Sequence, residues 1–325
     1  MIKINIDEIT KKEIEKKLWK DANSNTTGLI KVLNTTKAKN ILKKNHKEIY
    51  NVLYEKSTGN LNLAEVKKLL LADRQELKEY IRIFGDYSSN KKLSHELQNK
   101  IFRYDNYSQR VAAVEILKKM KVTVCPYCNR QYIFTLSKGC VRPQFDHYYP
   151  KNRYPYLALS LYNMIPSCSI CNMAKSSLDT FKEPILYPFD EEMGSEAKFE
   201  IKRKKSGNFV RMLQGVSNEF VIDLNASNSK NKLEIQNQME KLHLNSLYNE
   251  HKEYVMDIIK SKYVNSSERI DELLNLFPTL FDSYEDVKSL LYMTNIQKDS
   301  WGNRPLSKLT YDIDWQLEEG TIEEE

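Results

Sequence analysis

The sequence predicts an α+β protein: mainly helical, with a small metal-stapled centre and a short β element after it. Three observations carry that prediction. Apolar residues recur at helical spacing through the first third of the chain and again beyond about residue 230. Two Cys-x-x-Cys pairs, Cys125/Cys128 and Cys168/Cys171, bracket a stretch with little helical periodicity, and β-formers cluster between 197 and 224. A chain of 325 residues, 41% hydrophobic, can bury a real core in one large domain or two to three smaller ones. The reading adopted is a helical N-terminal domain over 1–119, a metal-stapled centre over 120–190 and a C-terminal region over 191–325.

In the first third, Asn62 followed by Glu65 is a capping-box-like helix start. After Asp73, Leu77, Tyr80, Ile81 and Phe84 recur at i, i+3, i+4 and i+7, the spacing of one buried stripe. A further helix opens near Ser108, with Val111, Val114, Leu117 and Met120 expected on its buried side. Lys118, Lys119 and Lys121 lie near its C-terminal end, where the helix dipole favours cations. Such stripes are ordinary core.

Past the centre, Phe199-Glu200-Ile201-Lys202, Asn208-Phe209-Val210-Arg211-Met212 and Glu219-Phe220-Val221-Ile222-Asp223 read as strands of a small sheet, with Ser206-Gly207-Asn208 as a turn. From about Lys230 the helical pattern returns. Val255, Ile258 and Ile259 share one face, and a further amphipathic stretch runs from about 273 to 291, with Pro278 expected to end a helix. The acidic tail, 318–325, is expected to be disordered.

Net charge is +6, distributed as +11 over 1–124, +3 over 125–190 and −8 over 191–325. Lysine pairs such as Lys11-Lys12, Lys43-Lys44 and Lys118-Lys119 are singly no more than solvated helix faces, but their summed field favours a nucleic-acid backbone. No stretch approaches 18 apolar residues and the N-terminus lacks the pattern of a secretory signal, so a cytoplasmic protein without a membrane span is expected. In a reducing compartment two close cysteine pairs are metal ligands before they are disulfides, and four thiolates close a tetrahedral Zn²⁺ site. Cys140 is then a spare thiol with no role.

Inside the cysteine clamp lies Phe145-Asp146-His147-Tyr148-Tyr149-Pro150-Lys151. Phosphodiester hydrolysis requires an activated water and a cation to neutralise charge developing on the phosphate. His147 is suited to the base and Asp146 to the cation. Neighbours in a regular strand point to opposite faces, so both reach one phosphate only if the strand bends or ends there. Lys151, Arg153 and Lys175 are candidate phosphate contacts. Tyr148 and Tyr149 either stack on sugar or base or fill the core.

These residues resemble the HNH, or ββα-metal, nuclease family, over roughly residues 120–180. The family pattern is a strand ending in Asp-His, a loop, an Asn, a second strand, and a helix with a metal ligand on its first turns; the matching positions are Asp146-His147, Asn163 and Asn172. The resemblance implies His147 as general base, Asp146 and Asn172 as ligands of a catalytic Mg²⁺ or Mn²⁺, Asn163 as the residue that orients His147 through the loop, and Cys125, Cys128, Cys168 and Cys171 as a structural Zn²⁺ clamp. Many members carry His where this chain has Asn172. An all-oxygen donor set suits a hard cation and should bind it weakly before substrate arrives.

The segments Pro126-Tyr127-Cys128-Asn129 and 148–155 resemble a subgroup of bacterial HNH proteins found in anti-phage defence and restriction-like systems. That resemblance implies a DNA substrate and an ATPase subunit as partner; this chain has no phosphate loop of its own, so any nucleotide hydrolysis would belong to another protein. One HNH site cuts one strand per encounter, so a double-strand break requires a homodimer or successive nicks. Two other readings stay open: an RNA nuclease acting on tRNA as a toxin, and a zinc-ribbon nucleic-acid-binding module without catalysis.

Overall fold

Helices carry most of the fold, and two small two-stranded sheets carry the rest. The structure, a computed structural model, describes residues 1–24, 28–136, 141–205 and 207–324. Cys140, Ser206 of the expected turn, and the final Glu325 lie outside the described residues. No described helix is long and apolar enough to cross a membrane.

One compact unit comprises residues 4–122 and 133–184. Its helix Leu63–Leu71 starts at Asn62, whose side chain accepts from the Ala64 and Glu65 amides. The next, Arg74–Phe84, opens on a full capping box between Asp73 and Glu76 and buries Leu77, Tyr80, Ile81 and Phe84, as the periodicity predicts. The helix Val111–Met120 departs from its expected stripe: Val111 is 71% exposed, and Ala112, Ala113, Ile116, Leu117 and Met120 are buried. The two alanines are small enough for close helix packing, which turns the buried face by about one residue from the one the valines suggest.

Within the same unit, strand β1 (Gln144–His147) pairs antiparallel with β2 (Met164–Ser167), Asp146 opposite Ile165 and His147 opposite Met164. The chain between them, 148–163, is compact and contains two 3₁₀ turns, Pro155–Leu157 and Leu161–Asn163. Tyr148 and Tyr149 are fully buried beneath it, so they are core. β2 leads through Cys168, the N-cap, into the helix Ser169–Lys175.

The other unit comprises residues 1–3, 123–132 and 185–325. These groupings cut the chain elsewhere than the stretches 1–119, 120–190 and 191–325. The physical reason is the bonding of segment 123–132: the Tyr127 carbonyl accepts from Gln238, the Cys128 carbonyl from the Tyr248 hydroxyl, and the Asn129 carbonyl from the Leu306 amide.

β3 (Lys198–Arg203) and β4 (Phe220–Asn225) pair antiparallel in this unit. The strand expected at 208–212 is instead the helix Phe209–Leu213, because the Asn208 side chain accepts from the Arg211 amide and so caps a helical turn. The edge of β3 away from β4 is completed by the helix Ser307–Glu319: Asp312 accepts from the Phe199 amide, and Gln316 exchanges hydrogen bonds with both backbone groups of Ile201. The tail continues along that edge, with the Glu323 carbonyl accepting from the Arg203 amide at 2.8 Å. The expectation of a disordered tail is therefore corrected through Glu324: unpaired strand groups offered it partners that its composition does not reveal. Val255, Ile258 and Ile259 are buried, and the helix Ser267–Leu276 ends just before Pro278, both as expected.

Candidate active site

A cleft of roughly 760 Å³ opens beside the β1–β2 hairpin, lined by Asp146, His147, Asn172, Lys151, Gln144, Tyr104 and Arg142 among others. Its chemistry begins at the end of β1. The His147 ring is nearly buried, and its Nε2 lies 3.0 Å from the Ala158 carbonyl oxygen. A carbonyl only accepts, so Nε2 carries the proton and donates it, leaving Nδ1 with a lone pair. Burial, reinforced by the cations of Lys151 and Lys175 and only partly offset by the Ala158 bond, pushes the imidazole's pKa down to about 3. The ring is thus neutral across the physiological range. Tyr104 packs edge-on against it, ring centroids 4.3 Å apart, and fixes its plane.

Asp146 and His147 line the same cleft although they are strand neighbours. β1 ends at His147, and the two side chains are drawn by different partners: the imidazole by Ala158, the carboxylate by Lys175. Asp146 is only 3% exposed, with the Lys175 ammonium 3.1 and 3.3 Å from its two oxygens. Lys175 itself is fully buried and also donates to the His147 carbonyl at 2.6 Å. The expectation that Lys175 reaches a phosphate is corrected: its helix ends at Lys175, and the side chain turns inward, hydrogen-bonding Asp146 Oδ1 and the His147 carbonyl with Asp146 Oδ2 in ion-pair range.

Asn163 is fully buried and works on the loop. Its Oδ1 accepts from the Tyr149 amide at 2.7 Å, and its Nδ2 donates to the carbonyls of Tyr149 and Leu157, each at 3.1 Å. Leu157 precedes Ala158, the acceptor for His147, so Asn163 holds the strut that orients the imidazole. Asn172, partly exposed on the Ser169–Lys175 helix, donates through Nδ2 to Gln144 Oε1 at 2.6 Å, which leaves its Oδ1 as an oxygen donor. Asp146 and Asn172 thus offer a carboxylate and an amide oxygen on one cleft, a donor set that fits Mg²⁺ or Mn²⁺ completed by water and phosphate.

The other two candidate cations differ from each other. Lys151 lines the cleft, 4.8 Å over the Tyr104 ring and 2.8 Å from Asp105. Arg153 is corrected as a phosphate contact: its guanidinium is spent on Asp86 at 2.7 Å and Asp179 at 3.4 Å, and it ties loop 148–163 to neighbouring chain. Tyr104, Arg142 and Gln144 also line the cleft and belong to no motif. Gln144 was findable, because it sits two residues before Asp146 on the same strand face. Tyr104 and Arg142 come from segments whose nearness to β1 no local pattern reveals.

The four cysteine sulfurs of Cys125, Cys128, Cys168 and Cys171 lie within 4.8 Å of one another, all buried. A tetrahedral zinc–thiolate site with bonds of about 2.3 Å has sulfur–sulfur edges of about 3.8 Å, so the donors fit Zn²⁺. Each pair is locally prepared for that role. The Arg130 amide points at Cys128 Sγ and the Cys171 amide at Cys168 Sγ, each at 3.4 Å, and Asn129 turns the first pair through a left-handed conformation, φ 49°. The Asn129 side chain is itself anchored, Nδ2 donating to the Trp301 carbonyl and Oδ1 accepting from the Lys308 amide.

No family model and no solved structure matches the chain. The chain is similar to the Septu protein PtuB of Bacillus thuringiensis, 35% identical over 72 residues. The match covers 22% of this chain and 26% of that protein's length.

Proposed function

We propose that this protein is a metal-dependent HNH-type endonuclease that hydrolyses DNA phosphodiester bonds and serves as an effector in defence against phage. The observation that carries the reading is the His147–Ala158 bond. It leaves Nδ1 of a neutral imidazole as the base of a cleft that also holds Asp146 and Asn172. Nδ1 accepts the proton of the attacking water, and Nε2 keeps its bond to Ala158 throughout, so the ring does not turn as it charges. A Mg²⁺ or Mn²⁺ ion bound by Asp146 and Asn172 would neutralise charge on the non-bridging oxygen and assist the leaving 3′ oxygen. Lys151 and Arg142, cationic on the cleft, orient the phosphate chain. Zn²⁺ at the four cysteines is structural and takes no part in the chemistry.

The defence role rests on the resemblance of segments 126–129 and 148–155 to HNH proteins of anti-phage systems, together with the likeness to the Septu protein PtuB. An ATPase subunit is the proposed partner. DNA binding beyond the cleft falls to the helix Thr36–Asn45 and its flanks, where Lys31, Lys37, Lys43, Lys44 and Lys47 are exposed and make no ion pair among the described residues.

The test is cleavage of supercoiled plasmid, with a structured RNA in the same tube, by wild type and His147→Ala in Mg²⁺, Mn²⁺ or EDTA. Metal-dependent nicking that disappears in the variant is expected. Cleavage of RNA alone would install the toxin reading, and retained cleavage in His147→Ala would remove the base assignment.

A further inference from the structure

Lys175 is buried beside the cleft carboxylate Asp146, and its position has consequences for the metal. Its ammonium has three N–H donors and three acceptors in reach: Asp146 Oδ1 at 3.3 Å, Asp146 Oδ2 at 3.1 Å and the His147 carbonyl at 2.6 Å. A buried ammonium stripped of its partners is costly, so this pairing persists. Yet among the described residues Asp146 is also the only carboxylate lining the cleft beside His147. Charge balance then sets the order of events. Asp146 and Lys175 cancel as a pair, so a divalent cation at that carboxylate is not neutralised by it, and Lys151 and Arg142 on the same cleft add to the positive surplus. A cation approaching that carboxylate meets a fixed positive charge already on both oxygens. The phosphodiester anions of a nucleic acid remove the surplus.

We propose that Lys175 is a built-in counter-ion that shares the Asp146 carboxylate with the catalytic metal, and so keeps metal binding weak until a nucleic-acid phosphate enters the cleft. This rests on the reading that Asp146 holds the metal. Lys175 is a positioning residue: it touches Asp146 and the His147 backbone and meets no substrate atom. Its bond to the His147 carbonyl keeps it in place when metal and phosphate arrive together, so the restraint acts on idle enzyme and is relieved by substrate. Because the coupling is thermodynamic, metal must tighten nucleic-acid binding by the same factor as nucleic acid tightens metal binding.

The experiment measures Mn²⁺ binding by electron paramagnetic resonance on the zinc-loaded full chain. All proteins carry His147→Ala to prevent cleavage, and each is studied with and without a single-stranded DNA oligonucleotide. Lys175→Gln, which removes the charge and keeps a hydrogen-bond donor, should bind Mn²⁺ without DNA on the order of tenfold more tightly than its parent, and the gain brought by DNA should shrink equally. Asp146→Asn should lose this Mn²⁺ in both conditions. Equal Mn²⁺ affinity in the parent and Lys175→Gln, with Asp146 dependence intact, overturns the counter-ion proposal and leaves the metal assignment standing. Absence of any Asp146-dependent Mn²⁺, even with DNA, overturns the metal assignment and this inference with it. Should Lys175→Gln not fold, the parent decides alone: Mn²⁺ binding that DNA strengthens by about tenfold or more, with the reciprocal effect on DNA, supports the proposal, and Mn²⁺ binding indifferent to DNA overturns it.

Discussion

At the scale of single residues, the burial of His147 makes stability depend on pH. A free imidazole takes its proton near pH 6.5, while burial holds the folded one to about 3. The folded pKa is the lower, so between these values the unfolded chain binds more protons and stability falls as the pH drops. At pH 5 the penalty is about 2 kcal/mol. His147→Gln removes it, so the variant's urea midpoint should fall less than that of wild type between pH 7 and pH 5. Identical pH sensitivity would mean the ring is not held neutral. Asn163 gives a second prediction. Asn163→Ala leaves the Tyr149 amide and two carbonyls buried without their bonds, which should cost about 2–4 kcal/mol and slow cleavage, since Ala158 is no longer braced. Stability within about 0.5 kcal/mol of wild type would show that loop 148–163 does not depend on it.

At the scale of elements, the caps explain what local sequence decides. Asp73 with Glu76, Asn62 and Asn208 each start a helix by accepting from amides two or three residues ahead. The first two are legible as caps in the sequence. The third is masked by Phe209-Val210, whose β preference suggests a strand, and a five-residue helix has too few turns to display a 3.6 period. The helix Thr36–Asn45 buries Ala38 and Leu42 and presents Lys37, Lys43 and Lys44 to solvent. Replacing these three lysines by alanine should leave the fold intact and lower the salt dependence of duplex DNA binding by about 0.9 for each phosphate no longer neutralised. An unchanged slope would return the face to ordinary solvation.

At the scale of the whole molecule, the cysteine cluster couples metal to folding. Thiolate sites rarely pre-exist in an unfolded chain, so the free energy of zinc binding is folding free energy. Cys168→Ser should lose its zinc and melt at a markedly lower temperature. Zinc content and melting temperature equal to those of wild type would remove the clamp. Net charge also divides along the chain, positive before residue 125 and negative after 190, which fits a nucleic-acid-facing N-terminal part.

The sequence by itself determined the helical majority and the cysteine quartet and singled out the Asp146-His147 step that lies on the cleft, because each is written in local spacing: caps, 3.6-residue stripes, Cys-x-x-Cys pairs and an Asp-His step. Only the tertiary structure decided which way long side chains turn and which distant groups meet them. Lys175 shares a helix face with Asn172 on spacing alone, yet it is buried against Asp146. Arg153 beside the motif is spent on Asp86 and Asp179, and Tyr104 reaches His147 from a helix 43 residues earlier. The physical reason is common to all three. A charged or aromatic side chain is committed by the partners that desolvate and pair with it, and those partners are chosen by the packing of segments far apart in the chain.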